Sequence, residues 1–350
     1  LSKILINKGI NVELYYSNNK VLKNTANTIS RTIGLSNNSI EFLEGQKILC
    51  KKDCWDIKRI NLYRGNNSKS FLNFNSKKNS FFMISYNNFY KSLETSLKKN
   101  KLIKIKRVNS YKFFLNLPKK NFEIIIITDA NNLLFKKHFS KRIEKNYNST
   151  AFTTIINHNN LNNNVAEQYF TNCGPLAFLP ISNKQTSIVF SVFDKNIIKN
   201  KLSVIKLIKQ YNNRYKIKKF GKLQQFPINL SLARNYFYKN ILSFGDALHK
   251  IHPLAGQGFN MTLRDIKTLS QMINKNLDLG LNLDTVLEKF EVKKKNSNFI
   301  FAMGVDFIHE FFKFSNNYNI KSIDNLFDFI NKNKFIKKKI ENFADKGINL

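Results

Sequence analysis

One stretch constrains the fold more than any other. The apolar, β-prone run Asn240-Ile241-Leu242-Ser243-Phe244 stops at Gly245, a loop rich in glycine and histidine follows, and Leu263, Ile266, Leu269 and Met272 then recur at helical spacing. This reads as a short buried strand, a loop and a helix, with the turn Gly256-Gln257-Gly258 at the helix N-terminus. Such a junction offers unpaired backbone N–H groups and the positive end of a helix dipole, and its glycines remove side chains that would keep a ligand away. It is a place to hold a negatively charged group.

Asp246, His249 and His252 repeat every third residue in the same loop, which raises a metal site as an alternative. Pro253 and the loop glycines break helical registration of the three, and no second Cys/His cluster completes a coordination shell. No metal is therefore expected, and the histidines read as structural groups or as supports of the ligand loop.

The chain has 350 residues, enough for one large domain or two smaller ones with a real core. Its net charge of +35, from 58 basic and 23 acidic residues, invites a nucleic-acid reading. Against it, the excess residues are Lys, Asn, Ile and Phe, and enrichment in Ile and Phe serves no phosphate contact. All four can be encoded with A and T alone, so a base-composition bias accounts for the whole set. The lysines are scattered, as at Lys51-Lys52, Lys98-Lys99 and Lys119-Lys120, with no nucleic-acid-binding motif around them. No nucleic-acid partner is expected; weak attraction to anionic lipid is a by-product of the charge.

Cys50, Cys54 and Cys173 are odd in number and form no C-x-x-C pair, which points to structural thiols in a reducing compartment. No stretch approaches the roughly 18 uninterrupted apolar residues of a spanning helix. The expected location is cytoplasmic, with peripheral contact to a membrane.

Along the chain, Leu1 to Lys8 is helical in pattern, Gly9 closes it, and Asn11 to Tyr16 reads as a strand. Together they look like the second half of a βαβ unit whose first strand is missing. Tyr86 to Lys99 reads as an amphipathic helix. Strand-like segments follow at Leu102 to Lys106, Tyr111 to Leu117 and Glu123 to Ile127, the last delivering Asp129 to a loop. From Thr150 to Phe220 the pattern changes to alternating β segments, with a loop at Gly174-Pro175, as an inserted sheet domain would show. After Asp284 the chain reads as helices, with Val286, Leu287, Phe290, Phe307, Phe311 and Phe312 as core positions.

At this point the sequence resembles a known family, the UbiH-like FAD-dependent hydroxylases of ubiquinone biosynthesis, which share the p-hydroxybenzoate hydroxylase fold. Gly245-Asp246-Ala247-Leu248-His249 resembles that family's GDAAH, and His252-Pro253-Leu254-Ala255-Gly256-Gln257-Gly258-Phe259-Asn260 resembles its HPLAGQGLN. Arg31 to Ser36 resembles the R-x-x-A-L-S segment near the flavin. Ala166 to Phe170 with Gly174 to Pro180 resembles a substrate-domain pattern.

The resemblance implies an α/β fold: a Rossmann-like FAD-binding domain lacking its first strand and GxGxxG, an inserted β-sheet substrate domain, and C-terminal helices. It places the FAD-binding part at residues 1–54, 81–148 and 226–290, the substrate sheet at 55–80 and 149–225, and the helical region at 291–350. It implies FAD contacts from Arg31, Asp129, Gly245, Asp246, Gly256, Gln257, Gly258, Phe259 and Asn260. The flavin-proximal loop would be His252, Pro253, Leu254, Ala255 and Gly256, with no side-chain nucleophile. The implied activity is an aromatic-ring monooxygenase: NAD(P)H reduces the flavin, O2 is captured as a flavin hydroperoxide, and one oxygen enters a prenylated phenol. A quinone-biosynthesis complex and a peripheral inner-membrane contact are implied as partners.

The sequence also departs from that pattern. The opening strand and GxGxxG are absent, so a longer parent chain is expected, and weak FAD binding by this chain alone. Tyr16 stands where an acidic residue would hold the adenosine ribose. Thr128-Asp129-Ala130-Asn131-Asn132-Leu133 stands in place of A-D-G-x-x-S, and Lys136 in place of an arginine. These departures motivate the alternative of a degenerate, non-catalytic binding or scaffold subunit.

Overall fold

The computed structural model describes residues 1–17, 31–65, 69–75, 81–97, 100–193, 201–253, 256–317, 327 and 329–348. Elements are numbered in chain order over these residues. The α/β half is built on two sets of parallel strands. β8 (Ile125–Ile127) pairs parallel with β16 (Ile241–Ser243), which also pairs with β15 (Phe237–Tyr238). β1 (Val12–Ser17) pairs parallel with β7 (Ile103–Val108) in a separate sheet. The runs Ile125-Ile126-Ile127 and Ile241-Leu242-Ser243 lack polar alternation because helices and neighbouring segments cover both faces. Leu242, Phe244, Leu269, Ile273, Val286 and Phe290 form one buried cluster, which packs α6 (Gln257–Asp278) and α7 (Asp284–Asn317) onto β16. A third small sheet joins β2 (Thr32–Leu35), β6 (Phe81–Ser85) and β3 (Trp55–Ile57), with α2 (Asn37–Gly45) and α3 (Tyr86–Leu97) beside it.

The other half is one nine-stranded sheet in which β17 (His249–Lys250), β14 (Gln224–Ala233), β9 (Arg142–His158), β12 (Gln185–Val192), β11 (Gly174–Ser182), β10 (Val165–Thr171), β4 (Arg59–Arg64) and β5 (Leu72–Asn75) are successive neighbours and β13 (Ile217–Phe220) adds to β9. β4 (Arg59–Arg64) and β5 (Leu72–Asn75) join it from far upstream in the chain, β4 lying parallel to β10 (Val165–Thr171). Two long strands, β9 (Arg142–His158) and β14 (Gln224–Ala233), run from this sheet toward the α/β half. The boundary expected at 148/149 falls on a bulge in β9, where Asn148 takes φ 54 and the register with β14 shifts at Ile228/Asn229.

Alternation along the strands divides the two faces of this sheet. Phe152, Leu176, Phe178, Ile188 and Phe190 point to a core closed by α5 (Lys201–Gln210) through Val204 and Ile208. Their neighbours Ala151, Ala177, Leu179, Val189 and Ser191 face the other way and form one wall of a large cavity.

Three local expectations are corrected. Tyr111–Lys119 is a 3-10 helix, not a strand: the Ser110 hydroxyl caps the Lys112 N–H at 3.2 Å, and Phe114 and Leu117 are buried three residues apart on one side. Gly174 and Pro175 open β11 (Gly174–Ser182) rather than forming a loop; the turn lies just before them. Phe307 is not core: it is 67% exposed, whereas Val286, Leu287, Phe290 and Phe312 are buried.

Candidate active site

The cavity measures about 1690 Å³ and lies between the inner face of the large sheet, the β2–β6 pair and the N-terminus of α6. One end carries the glycine-rich turn; the other is apolar, with Leu62, Leu72, Phe170, Phe312, Phe327 and Ile330 among its walls.

At the first end, α6 starts at Gly256 in the left-handed region (φ 66) with no side-chain cap, which leaves its first N–H groups for a ligand. A Cβ at Gly256 would sit 3.3 Å from the Gly34 carbonyl oxygen, so the turn rests directly on β2. Asn260 fixes that contact. Its Nδ2 donates to the Gly34 and Gly256 carbonyls at 3.0 and 3.2 Å, and its Oδ1 accepts from the Ser36 N–H at 3.0 Å. The Asn260 side chain therefore ties the walls of the site together instead of facing into it. Phe259 borders the cavity and meets Phe89 edge-on.

Arg31, Gly245, Asp246, Pro253, Gly256, Gln257, Gly258 and Phe259 all border the cavity. Asp246 is exposed to it, one residue past Gly245 (φ 60). The Gln257 Oε1 is buried with no hydrogen-bond partner, an acceptor left over by the protein and available to a bound group. Arg31 stands over the Phe226 ring at 5.4 Å, and its carbonyl accepts from the Tyr86 N–H. Leu254 and Ala255 lie outside the described residues. Asp129 does not border the cavity, although Thr128 does; its Oδ1 accepts from the Asn131 N–H at 2.9 Å, while Asn132 caps α4 (Leu133–His138).

The structure separates Asp246, His249 and His252, the triplet considered for a metal. His249 Nε2 lies 2.7 Å from Oδ2 of Asp265, a fully buried carboxylate that also accepts from Asn298 at 3.0 Å and from the Lys294 ammonium at 3.2 Å. Burial alone would raise the Asp265 pKa, but His249 and Lys294 outweigh it and hold the carboxylate below its usual value. Sequence reasoning missed Lys294 and Asn298, which look like ordinary helix residues because their partner lies on α6, some thirty residues earlier.

His252 is buried behind the loop in a nest of rings, 4.2 Å from His309 and 5.6 Å from Tyr147 between centroids. It does not border the cavity. Nearby, Asp306, His309 and Glu310 could together hold an ion, but the Lys145 ammonium already bridges the two carboxylates at 3.0 and 2.9 Å. Burial, with help from His309, pushes the His252 pKa from 6.5 down to about 2. Above its ordinary value His252 is neutral in both states; below it the unfolded chain takes up a proton that the fold refuses. Stability is therefore full above about pH 6.5 and lost as pH falls, by about 2 kcal/mol at pH 5 from this residue. In thermal melts from pH 7.5 to 5, His252→Phe should flatten that loss; an unchanged slope would show that His252 is not its source.

The family model described as squalene epoxidase matches residues 121–342. The 3-demethoxyubiquinol 3-hydroxylase of Escherichia coli strain K12 is 30% identical over 160 residues, 43% of this chain and 40% of that protein. The mitochondrial ubiquinone biosynthesis monooxygenase COQ6 of Dictyostelium discoideum is 32% identical over 94 residues, 26% of this chain and 19% of that protein. The chain thus spans less than half the length of either relative in these matches. Among solved structures, p-nitrophenol 4-monooxygenase PnpA from Pseudomonas putida DLL-E4 superposes with a TM-score of 0.76, covering 100% of this chain and 95% of that one at 11% identity. Klebsiella pneumoniae HpxO, complexed with FAD and uric acid, gives 0.70 at 10% identity over 99% and 92%. At such identities these likenesses establish the fold.

Proposed function

Because the chain belongs to the squalene epoxidase family, we propose that it carries the flavin and substrate sites of an FAD-dependent monooxygenase that hydroxylates a prenylated phenol in ubiquinone biosynthesis, with NAD(P)H and O2 as co-substrates. The observation that carries this reading is the single cavity joining the glycine-rich turn at one end to an apolar compartment under the sheet at the other. The ubiquinone-pathway names of the two relatives support it.

The residues fit FAD. Gly245, Asp246, Gly256, Gln257 and Gly258 would hold it, with Arg31 at the edge: an exposed carboxylate to accept from hydroxyls, an uncapped helix start, and a buried acceptor without a partner. When bound, FAD supplies the redox chemistry that moves electrons from NAD(P)H to O2 and one oxygen atom to the ring. The N-terminus of α6 favours negative charge placed against it. Asn260, donating to the carbonyls of both Gly34 and Gly256, ties the helix start to the β2 wall. The sheet wall of Ala151, Ala177, Leu179 and Val189 excludes water from the aromatic ring. Asp129, away from the cavity, acts through its loop in this reading. Peripheral contact with the inner membrane and with a quinone-biosynthesis complex completes the proposal.

The test is turnover by the protein expressed from its full reading frame. With FAD, NAD(P)H, 18O-labelled O2 and a 2-prenylphenol, the expected product carries one 18O atom on the ring, read by mass spectrometry. FAD binding without any phenol-stimulated NAD(P)H oxidation would replace this reading with the non-catalytic subunit.

A further inference from the structure

We propose that the exposed face of α7 between Val292 and Phe314 is the contact surface of a homodimer, in which a second copy of this chain lays its own α7 antiparallel along it.

α7 runs for 34 residues and carries large apolar side chains into solvent: Val292 is 74% exposed, Phe299 42%, Phe307 67% and Phe314 55%. Exposed rings cost free energy in water, and apolar side chains gathered on one helix face mark a surface that another element covers. Here they are gathered. With the half-buried Met303 at the centre, and Asn296 and Glu310 filling the remaining turns, the positions advance by four, three, four, four, three and four residues. At about 100° per residue, all seven lie within about 40° of Met303 around the helix axis.

Two features of this seam name its partner. The spacing reads the same in both directions from Met303, so a two-fold axis there sets Val292 opposite Phe314 of the partner subunit and Phe299 opposite Phe307 of the partner subunit. The Asn296 amide then meets Glu310 of the partner subunit, a donor against a carboxylate that Lys145 steadies at 2.9 Å within its own chain. A two-fold interface requires such self-complementarity; an unrelated partner does not. The second feature is charge. Of the 350 residues 58 are basic, yet none of the seven is, although Lys293, Lys295 and Lys313 flank them. A surface for an anionic partner would place lysine on the seam, whereas a chain of net charge +35 that meets its own copy must keep lysine off it. The seam is about 33 Å long, and the side-chain area it exposes amounts in two copies to on the order of 1,000 Å², the size at which a specific interface begins.

Sedimentation velocity of the protein expressed from its full reading frame tests the dimer. At micromolar concentration the parent should sediment as a dimer, and added salt should strengthen it, because the two copies repel through their net charge. Val292→Lys with Phe299→Lys, both outside the cavity, should raise the dimer dissociation constant on the order of a hundredfold. Far-ultraviolet circular dichroism should stay that of the parent, because the replaced side chains are exposed. The direction of pairing has its own readout. Met303→Cys sets the new thiols beside the two-fold axis, and mild oxidation should join them across the dimer, as peptide mass spectrometry would show. Val292→Cys should not cross-link to itself, since antiparallel copies hold these positions about 33 Å apart. A parent that stays monomeric, whether free or bound to lipid vesicles, would overturn the proposal. So would a dimer indifferent to the double variant, or self-cross-linking by Val292→Cys in place of Met303→Cys.

Discussion

Replacing Asp265 by alanine is expected to destabilise the fold by about 3–5 kcal/mol, because it removes one partner from a buried ionic network and leaves the others in place. The carboxylate is fully buried, and without it the Lys294 ammonium and His249 Nε2 lose the buried group that both contact. Asn298 would lose its acceptor too. Asp265→Asn keeps the volume and one acceptor oxygen, so its loss should be smaller. Urea denaturation at pH 7.5 reads the difference, and a loss under about 1 kcal/mol for the alanine variant would contradict the network's assigned role. The consequence extends to the site, since His249 borders the cavity and is held from behind by this carboxylate.

The second large effect concerns Gly256. Valine there must adopt φ near 66, a region closed to β-branched residues, and its Cβ would press on the Gly34 carbonyl at 3.3 Å. The wall can yield only by pulling Gly34 and Ser36 away from Asn260, which moves the turn proposed to hold FAD. A strain of about 1–3 kcal/mol directed at the binding geometry corresponds to roughly ten- to a hundredfold weaker FAD binding, with a lower melting temperature. Gly258→Ala is the contrasting variant: its Cβ meets only Ile251 Cγ1, at an ordinary 3.6 Å, so the melting temperature should hold. Flavin fluorescence titration and thermal melts check both. FAD binding by Gly256→Val equal to that of the parent would remove this turn from the cofactor site.

Much of the site was legible in the residues from Gly245 to Gly258 because its chemistry is local. A strand end, glycines and a helix start follow one another in sequence, so spacing alone brings their backbone N–H groups together. Side-chain direction was not legible in the same way. Asn260, expected among the FAD contacts, lies one helical turn past Gly256, and its side chain bonds to Gly34 and Ser36, more than two hundred residues earlier. His252 belongs to a ring cluster completed by Tyr147 and His309, and no local pattern contains that information. The 3-10 helix at Tyr111–Lys119 was hidden because its aromatic, β-prone residues suit a strand, and only the packing of Phe114 and Leu117 decided otherwise.

By itself the sequence determined the α/β class, the strand–loop–helix junction and the sheet of alternating strands, since hydrophobic period and glycine placement act over a few residues. Only the tertiary structure decided which face of each strand borders the cavity, that Lys294 and Asn298 serve Asp265, and that Phe307 is left in solvent. Those outcomes depend on which distant segments pack together. Burial and hydrogen-bond satisfaction are properties of the assembled neighbourhood, and a residue's own position in the chain does not carry them.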